Sequence, residues 1–123
     1  MSDPRASFAL EGERLAEQFL RARGLRVAAR RFSTPVGELD LVMRAGRTIV
    51  FVEVKTRRDR RLADPHDAVT PAKQRRLLRA AAWYLHFNKL ENRPCRFDIV
   101  SIVLPSDEPP EIEHFEDAFR PVR

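Results

Sequence analysis

Residues 37–55 read GELDLVMRAGRTIVFVEVK, and this stretch decides the fold. Two strand-like segments, 38–43 and 48–56, are joined by the short polar connection 44–47, which contains Gly46. A short connection with a glycine between two strand-like runs is typical of a β-hairpin. We therefore predict a hairpin here and interpret the rest of the chain around it.

The charged residues of this hairpin are expected to gather on one face. Side chains alternate between the two faces of a strand, so the pattern divides the hairpin into an apolar side and a charged side. The apolar side contains Leu39, Leu41, Val52 and Val54. The charged side contains Glu38, Asp40, Glu53 and Lys55. Three carboxylates and an ammonium would thus lie close together.

Length and composition favour one domain spanning residues 1–123, with a hydrophobic content of 43% that argues against disorder. No apolar run approaches the roughly 18 residues of a membrane span, and residues 1–14 lack a hydrophobic signal core. The single Cys95 forms no internal disulfide, and with three scattered histidines it predicts no zinc site. We expect a cytoplasmic protein that does not bind membranes.

The remaining elements follow from periodicity and from helix caps. A helix is predicted over 7–23, ended by Gly24, and a strand over 25–32. Thr70 and Pro71 are typical of a helix start, and the apolar face of this helix continues to about residue 90. A strand is predicted over 96–104, and a short strand or turn over 112–119. This order predicts an α/β domain with a mixed sheet flanked by helices, in two or three layers.

Acidic side chains gathered on a partly covered sheet face favour a divalent cation, because like charges otherwise raise one another's pKa. Mg²⁺ prefers carboxylate and water oxygens, which Asp40 and Glu53 could provide, with Lys55 beside them. A charged surface that merely keeps the sheet soluble would give the same pattern. Val42 and Phe51 on the charged side indicate that it is partly covered, which favours a site.

At these residues the chain resembles the PD-(D/E)xK nuclease superfamily, with Asp40 at the first acidic position and Glu53-Val54-Lys55 as the E-x-K motif. The proline of that motif is absent, and Leu39 stands in its place. A closer resemblance covers nearly the whole chain. GERLAEQFL with Gly24, GELDLV, FVEVKTR, the K-x-x-R-L beginning at Lys73, and RFDIV are similar to the small bacterial YraN family, described as endonuclease-like and similar in layout to archaeal Holliday junction resolvases.

The resemblance implies a restriction-endonuclease-like core, α-β-β-β-α-β, and a catalytic set of Glu13, Asp40, Glu53 and Lys55. Asp40, Glu53 and the Val54 carbonyl would hold Mg²⁺ or Mn²⁺, with Glu13 contacting the ion through water or holding a second one. Lys55 would orient the attacking water. The segment 57–69 is expected to be a mobile basic loop. Residues expected to grip DNA phosphates are Arg57, Arg58, Arg60, Arg61, Lys73, Arg75, Arg76 and Arg79.

Two functions therefore stay open. The first is a metal-dependent endonuclease that cuts branched or damaged DNA during recombination or repair, possible as a homodimer because a junction presents two symmetric strands. The second is a non-catalytic nucleic-acid-binding or adaptor protein that retains the nuclease fold. The net charge of +5 and the pI near 10.3 suit both. Asp98 is expected to be a structural partner of an arginine, and the Trp83-Tyr84 pair to lie in the core.

Overall fold

The structure is a computed structural model that describes residues 3–59 and 69–120. Within these ranges the chain forms two helices and five strands in the predicted order. They are α1 (Pro4–Ala22), β1 (Arg26–Thr34), β2 (Gly37–Ala45), β3 (Thr48–Arg57), α2 (Pro71–Phe87), β4 (Cys95–Val103) and β5 (Glu111–Phe119). The order α-β-β-β-α-β is confirmed, and the tail forms a fifth full strand.

The five strands form one mixed sheet in the order β1-β2-β3-β4-β5. Strands β1, β2 and β3 pair antiparallel, β3 and β4 pair parallel, and β5 returns antiparallel beside β4. Helix α2 lies in the connection between the two parallel strands, which cannot be joined by a tight turn. The mixed sheet predicted from the hairpin and the second helix is thereby confirmed.

The two helices cover opposite faces of the sheet, so the domain has three layers. On one face Leu77, Ala81 and Tyr84 of α2 pack with a cluster that includes Phe51 and Ile99. On the other face Ala16 and Leu20 of α1 pack with a cluster that includes the intervening strand residues Val50, Val52 and Val100. Burial on both faces explains why β3 and β4 are nearly continuous in apolar residues.

One predicted face assignment is wrong. Leu41 packs in the cluster beneath α1, as expected of the apolar side, but Leu39 packs in the cluster beneath α2. The pairing of β2 with β3 runs from Ala45↔Thr48 to Leu41↔Val52 and goes no further. Where β2 is no longer hydrogen-bonded to β3, its side chains need not alternate strictly between the two faces of the sheet.

Neighbouring β1 is irregular at the same level. Arg31 has a left-handed backbone, with φ of 43°. Ala29 and Phe32 both pack against the α2 cluster, although an uninterrupted strand would send them to opposite faces. Thus β1 is bent beside Asp40, the point in β2 where the pairing with β3 has ended.

Helix α2 begins where the sequence predicts and ends earlier. The Thr70 hydroxyl accepts a hydrogen bond from the Lys73 backbone N–H at 3.2 Å, and Pro71 occupies the first turn. At the other end the Asn88 side-chain amide donates to the Tyr84 carbonyl at 2.9 Å, and Lys89 takes a left-handed φ of 57°. The cap at Asn88, rather than the predicted break after residue 90, ends the helix.

Arg57 is the last residue of β3, which shortens the predicted loop 57–69, and residues 60–68 of that segment lie outside the described residues. Neither helix in the described ranges combines the length and the apolar composition needed to cross a membrane.

Candidate active site

The candidate site lies where β2 parts from β3. Asp40 comes immediately before Leu41, where the pairing of β2 with β3 ends, and its Oδ2 accepts a hydrogen bond from the Val54 backbone N–H at 3.0 Å. A carboxylate thus takes the place that a backbone carbonyl of β2 would otherwise hold in the ladder. The exchange satisfies the Val54 donor and leaves an acidic side chain in the opening between the two strands.

Glu53 is one residue beyond Val52, where the pairing of β3 with β2 ends, and is buried beside two lysines. Its Oε1 lies 2.7 Å from Lys73 Nζ of α2 and 3.4 Å from Lys55 Nζ of β3, and only 8% of its side chain is exposed. A buried carboxylate is tolerable when it is paired in this way. The structure therefore brings Asp40, Glu53 and Lys55 together, and adds Lys73 to them.

The pKa values in this group are displaced in different directions. Burial, followed by repulsion from Glu53 and Glu13, raises the pKa of Asp40 to about 7, against the lowering effects of the Val54 N–H and of Lys73. Burial, helped by the neighbouring Lys73 ammonium, lowers the pKa of Lys55. Two carboxylates that share a partly dry site without enough positive charge are typical of functional sites.

Lys73 behaves differently from Lys55 although both contact Glu53. Burial alone would lower the pKa of Lys73, but its hydrogen bond to Glu53 and the attraction of Glu53 and Asp40 raise it. The distances explain the difference, since Lys73 is the closer of the two to the Glu53 carboxylate. Lys73 thus acts as the fixed counter-charge of Glu53, whereas the Lys55 ammonium interacts more weakly with that carboxylate.

Glu13 is carried to the edge of this group by the packing of α1. A methyl group added at Gly12 would overlap the Thr56 side chain, so the helix backbone rests directly on β3 there. The next residue, Glu13, lies close enough to repel a charge on Asp40. Its own carboxylate, however, is held by the Arg31 guanidinium through two hydrogen bonds of 2.7 and 3.2 Å. Glu13 therefore lies at the edge of the site as an ion pair with Arg31.

The donor set suits a hard divalent cation. Asp40 and Glu53 offer carboxylate oxygens, and the Val54 backbone carbonyl is next to Glu53 in β3. Burial, followed by repulsion from Glu53, raises the pKa of Asp40, and a bound cation would oppose both effects. Mg²⁺ typically uses one or two protein carboxylates and keeps water on its other positions. Among the described residues no three acidic, histidine or cysteine side chains converge on one point, so a site here would rest on two carboxylates.

The basic residues expected to contact DNA differ in what they touch. Arg58 is engaged within the protein, with its guanidinium over the Phe8 ring at 4.4 Å and 3.4 Å from the Leu104 carbonyl. Arg57 lies at the end of β3. Arg75, Arg76 and Arg79 are exposed on α2, and none of them has an ion-pair partner among residues 3–59 and 69–120. Arg60 and Arg61 lie outside the described residues.

A second acidic cluster has another character. Asp98 is fully buried and accepts hydrogen bonds from Arg96 at 3.1 and 3.3 Å and from the Asp117 backbone N–H at 2.9 Å. His114 Nε2 lies 2.7 Å from Asp98, and His114 Nδ1 lies 3.2 Å from the Arg23 guanidinium. Because a guanidinium only donates, Nδ1 accepts and Nε2 carries the proton given to Asp98. The prediction of Asp98 as the partner of an arginine agrees with this geometry.

Two members of the site were not predicted in their observed roles. Lys73 was expected to contact DNA, whereas it fixes Glu53. Its place in the first turn of a helix capped by Thr70 was readable from the sequence, but the contact depends on how the α2 crossover is laid over the sheet. Arg31 left no readable signal, because its reach to Glu13 follows from the left-handed backbone that bends β1.

Comparison with known proteins places the chain in a family. The model of the uncharacterised protein family UPF0102 matches residues 12–102. A UPF0102 protein of Syntrophotalea carbinolica is 45% identical over 119 residues, covering 97% of this chain and 96% of its own length. A UPF0102 protein of Symbiobacterium thermophilum is 52% identical over 91 residues, covering 74% of this chain and 77% of its own. The resemblance to YraN proteins is thereby confirmed, and the chain belongs to the UPF0102 (YraN) family.

Proposed function

We propose that the protein is a metal-dependent endonuclease that hydrolyses phosphodiester bonds in branched or damaged DNA. The observation that carries the proposal is the buried Asp40–Glu53 pair at the break between β2 and β3, with two lysine ammoniums beside it. A structural acidic pair would be expected to have its charge offset, whereas here the pKa of Asp40 is raised to about 7 by burial and by Glu53.

Asp40, Glu53 and the backbone carbonyl of Val54 would hold Mg²⁺ or Mn²⁺. Such an ion supplies positive charge for the phosphate and the departing oxygen, and lowers the pKa of water, effects usually worth several kcal/mol. The protein's own part is to keep both carboxylates in place. Lys73 fixes the Glu53 carboxylate at 2.7 Å, and the Val54 N–H fixes that of Asp40 at 3.0 Å.

Lys55 is the side chain best placed to meet the reacting groups. Its Nζ is 3.4 Å from Glu53 Oε1, about a quarter of its side chain is exposed, and its pKa is lowered by burial and by Lys73. An ammonium of this kind can orient a water for in-line attack on phosphorus and give a proton more readily than a surface lysine. Glu13, held by Arg31, would act from the rim of the site through water.

Phosphates near the cut would be gripped by the basic residues around the site, mostly without reading sequence. Arg57, Arg75, Arg76 and Arg79 lie on the two elements that carry Glu53 and Lys73. Arg60 and Arg61, which the sequence also leads us to expect in phosphate binding, lie outside the described residues. Binding of this type releases counterions from the DNA, and that release becomes less favourable as the salt concentration rises. Affinity should therefore fall strongly between 50 and 200 mM salt.

A cleavage panel tests the chemistry. Nicked, forked and four-way DNA are incubated with the protein in Mg²⁺ or Mn²⁺, alongside Asp40→Asn and Lys55→Ala. Both variants should lose at least about 100-fold in rate, because each removes a group from the reacting centre. Glu91→Gln, an acid-to-amide change beyond the opposite end of β3, is the matched control and should cleave normally. Equal cleavage by all four proteins would refute the assignment.

One observation favours the second candidate, a non-catalytic nucleic-acid-binding or adaptor protein. The two lysines already compensate Glu53, so part of the acidic pair is stable without a metal. Calorimetric titration with Mn²⁺ separates the two functions. The nuclease requires a binding isotherm that Asp40→Asn abolishes, and the adaptor predicts no binding at millimolar metal with or without DNA. Size-exclusion chromatography with light scattering tests the homodimer that a symmetric junction would suit.

A further inference from the structure

One flank of α2 combines arginines with the exposed ring of Phe87 and the partly covered ring of Trp83. We propose that this flank binds unpaired nucleotides of the DNA substrate. This inference rests on the proposed function, because it names the form of DNA that the same site would receive. The flank consists of residues spaced three or four apart along the helix: Ala72, Arg76, Arg79, Trp83 and Phe87. Such residues lie on one stripe of a helix, and we call this set the α2 stripe.

The aromatic end of the α2 stripe is open to solvent. Phe87 is 62% exposed, one of the largest exposures of an apolar side chain in the described residues. The Trp83 and Phe87 rings are stacked with their centroids 5.0 Å apart and 12° between their planes. Phe32 of β1 braces both rings from below at 5.9 and 6.2 Å. The result is a supported aromatic shelf, and Trp83, predicted to lie in the core with Tyr84, is only partly covered.

The shelf has the geometry that nucleobases use. Every base has a flat face, and stacking on an aromatic side chain does not depend on sequence. A protein partner of purely apolar character would not need the arginines that continue the stripe. Exposing Phe87 to water is unfavourable for the protein alone, so a flat apolar ligand has something to gain by covering it.

The basic end of the α2 stripe faces an open cleft beside the site. The cleft is lined by Val36, Ala72, Arg75, Arg76 and Arg79, between the start of α2 and the β1–β2 turn. Its three guanidiniums have no ion-pair partner among the described residues, so their charge is available to a polyanion. The planar fork of arginine is well suited to phosphate oxygens.

The positive charge of the α2 stripe and its continuity with the candidate active site both favour nucleic acid as the ligand. The stripe begins at Ala72, next to Lys73, whose Nζ contacts Glu53, and runs along α2 away from the site. From Arg76 to Phe87 it covers about 16 Å along the helix axis at 1.5 Å per residue. That length fits about five stacked bases at 3.4 Å each, with phosphates on the arginines and a base at the shelf. A duplex keeps its bases inside, so only an unpaired strand can use the aromatic end.

Trp83 is the single tryptophan of the chain, so its fluorescence reports on the shelf directly. Binding is measured in EDTA with three probes: a 12-nucleotide oligo-dT, a 12-base-pair blunt duplex and a 12-residue abasic strand. We expect oligo-dT to quench Trp83 and to bind at least about tenfold more tightly than the abasic strand, which keeps the phosphates and lacks the bases. Equal affinity for the two, without quenching, would overturn the proposal.

Phe87→Ala should weaken oligo-dT binding about tenfold and leave abasic-strand binding unchanged, because it removes only a stacking surface. Since Phe87 is largely exposed, the variant should fold, which circular dichroism checks. His86→Ala is the matched control, because His86 is paired with Glu91 and lies outside the stripe. Arg76→Ala should weaken both strands alike. An equal loss with Phe87→Ala and His86→Ala would contradict the shelf.

Three further results separate this inference from its alternatives. If Trp83 fluorescence changes with protein concentration in the absence of DNA, the shelf is a contact between copies of the chain and the proposal is wrong. If the chain cleaves DNA but oligo-dT binds no better than the abasic strand, the endonuclease stands and the stripe does not. If oligo-dT binds as expected but no DNA is cleaved, the stripe stands and the endonuclease falls.

Discussion

The domain contains two acidic centres that satisfy their charges in opposite ways. At Asp98 a fully buried carboxylate is surrounded by donors: Arg96, the imidazole of His114 and the Asp117 N–H. At Asp40 and Glu53 two carboxylates share a half-covered opening, and the pKa of Asp40 is raised to about 7 by burial and by Glu53. The first centre is built for stability. In the second centre, burial and the neighbouring Glu53 disfavour the charged form of Asp40. Binding and catalytic sites typically keep such an arrangement at the expense of stability.

The largest expected effect is on the Asp98 centre. Asp98→Ala removes a fully buried carboxylate and leaves three part-buried donor groups without their acceptor, so we expect a loss of about 3–5 kcal/mol in the free energy of unfolding. Asp40→Asn at pH 7.5 should change this free energy by less than about 1 kcal/mol or increase it, because the amide oxygen can still accept from the Val54 N–H. Urea unfolding compares them, and a similar loss in both variants would erase the distinction.

The pH dependence of stability should distinguish the two centres next. Because the folded-state pKa of Asp40 is raised, the folded protein holds a proton that the unfolded chain releases. Stability from this group is therefore lost as pH rises from 3.8 through about 7, and changes little above that. Between pH 5 and pH 8 in EDTA the free energy of unfolding should fall by about 2–3 kcal/mol. This order-of-magnitude figure follows from the rise of the Asp40 pKa from 3.8 to about 7.

The measurement is the free energy of unfolding of wild type minus that of Asp40→Asn at each pH. The subtraction cancels the other titrating groups, and the Glu91→Gln variant serves as a control that should follow wild type. A difference that stays flat from pH 5 to pH 8 would mean that Asp40 is an ordinary carboxylate.

The contact of α1 with β3 supports the Asp40 centre and not the Asp98 centre. Gly12→Ala forces a methyl group into Thr56, so we expect the helix to shift at a cost of about 1–3 kcal/mol. Thermal unfolding measures the loss. Cleavage or Mn²⁺ binding should fall as well, because Glu13 moves with the helix. Ala9→Gly, on the same helix, weakens it without altering that contact and should keep Mn²⁺ affinity.

The smallest expected effect is stabilisation by metal. At a free Mg²⁺ or Mn²⁺ concentration ten times the dissociation constant, the folded state should gain about 1.4 kcal/mol. The gain should be larger at pH 8 than at pH 5, where protons compete for Asp40, and absent in Asp40→Asn. Differential scanning fluorimetry detects it as a rise in Tm. The same rise in Asp40→Asn would locate the ion elsewhere.

Much of this architecture was predictable from short-range patterns. The hairpin, the cap at Thr70 and the order of elements follow from alternation and turn chemistry, and they put Asp40, Glu53 and Lys55 on neighbouring strands. The face of Leu39 and the pairing of Glu13 with Arg31 were not predictable, because both depend on breaks in the ladder. Alternation assumes a regular strand, and the site lies where β1 and β2 cease to be regular.

The direct contact between α1 and β3 also limits how the sequence can vary over evolution. At this point the backbone of α1 at Gly12 lies directly against the Thr56 side chain of β3. A larger residue at Gly12 needs a smaller one at Thr56 to keep the same spacing. We therefore expect positions 12 and 56 to change together among relatives, and a Thr56→Gly replacement to restore the Gly12→Ala variant.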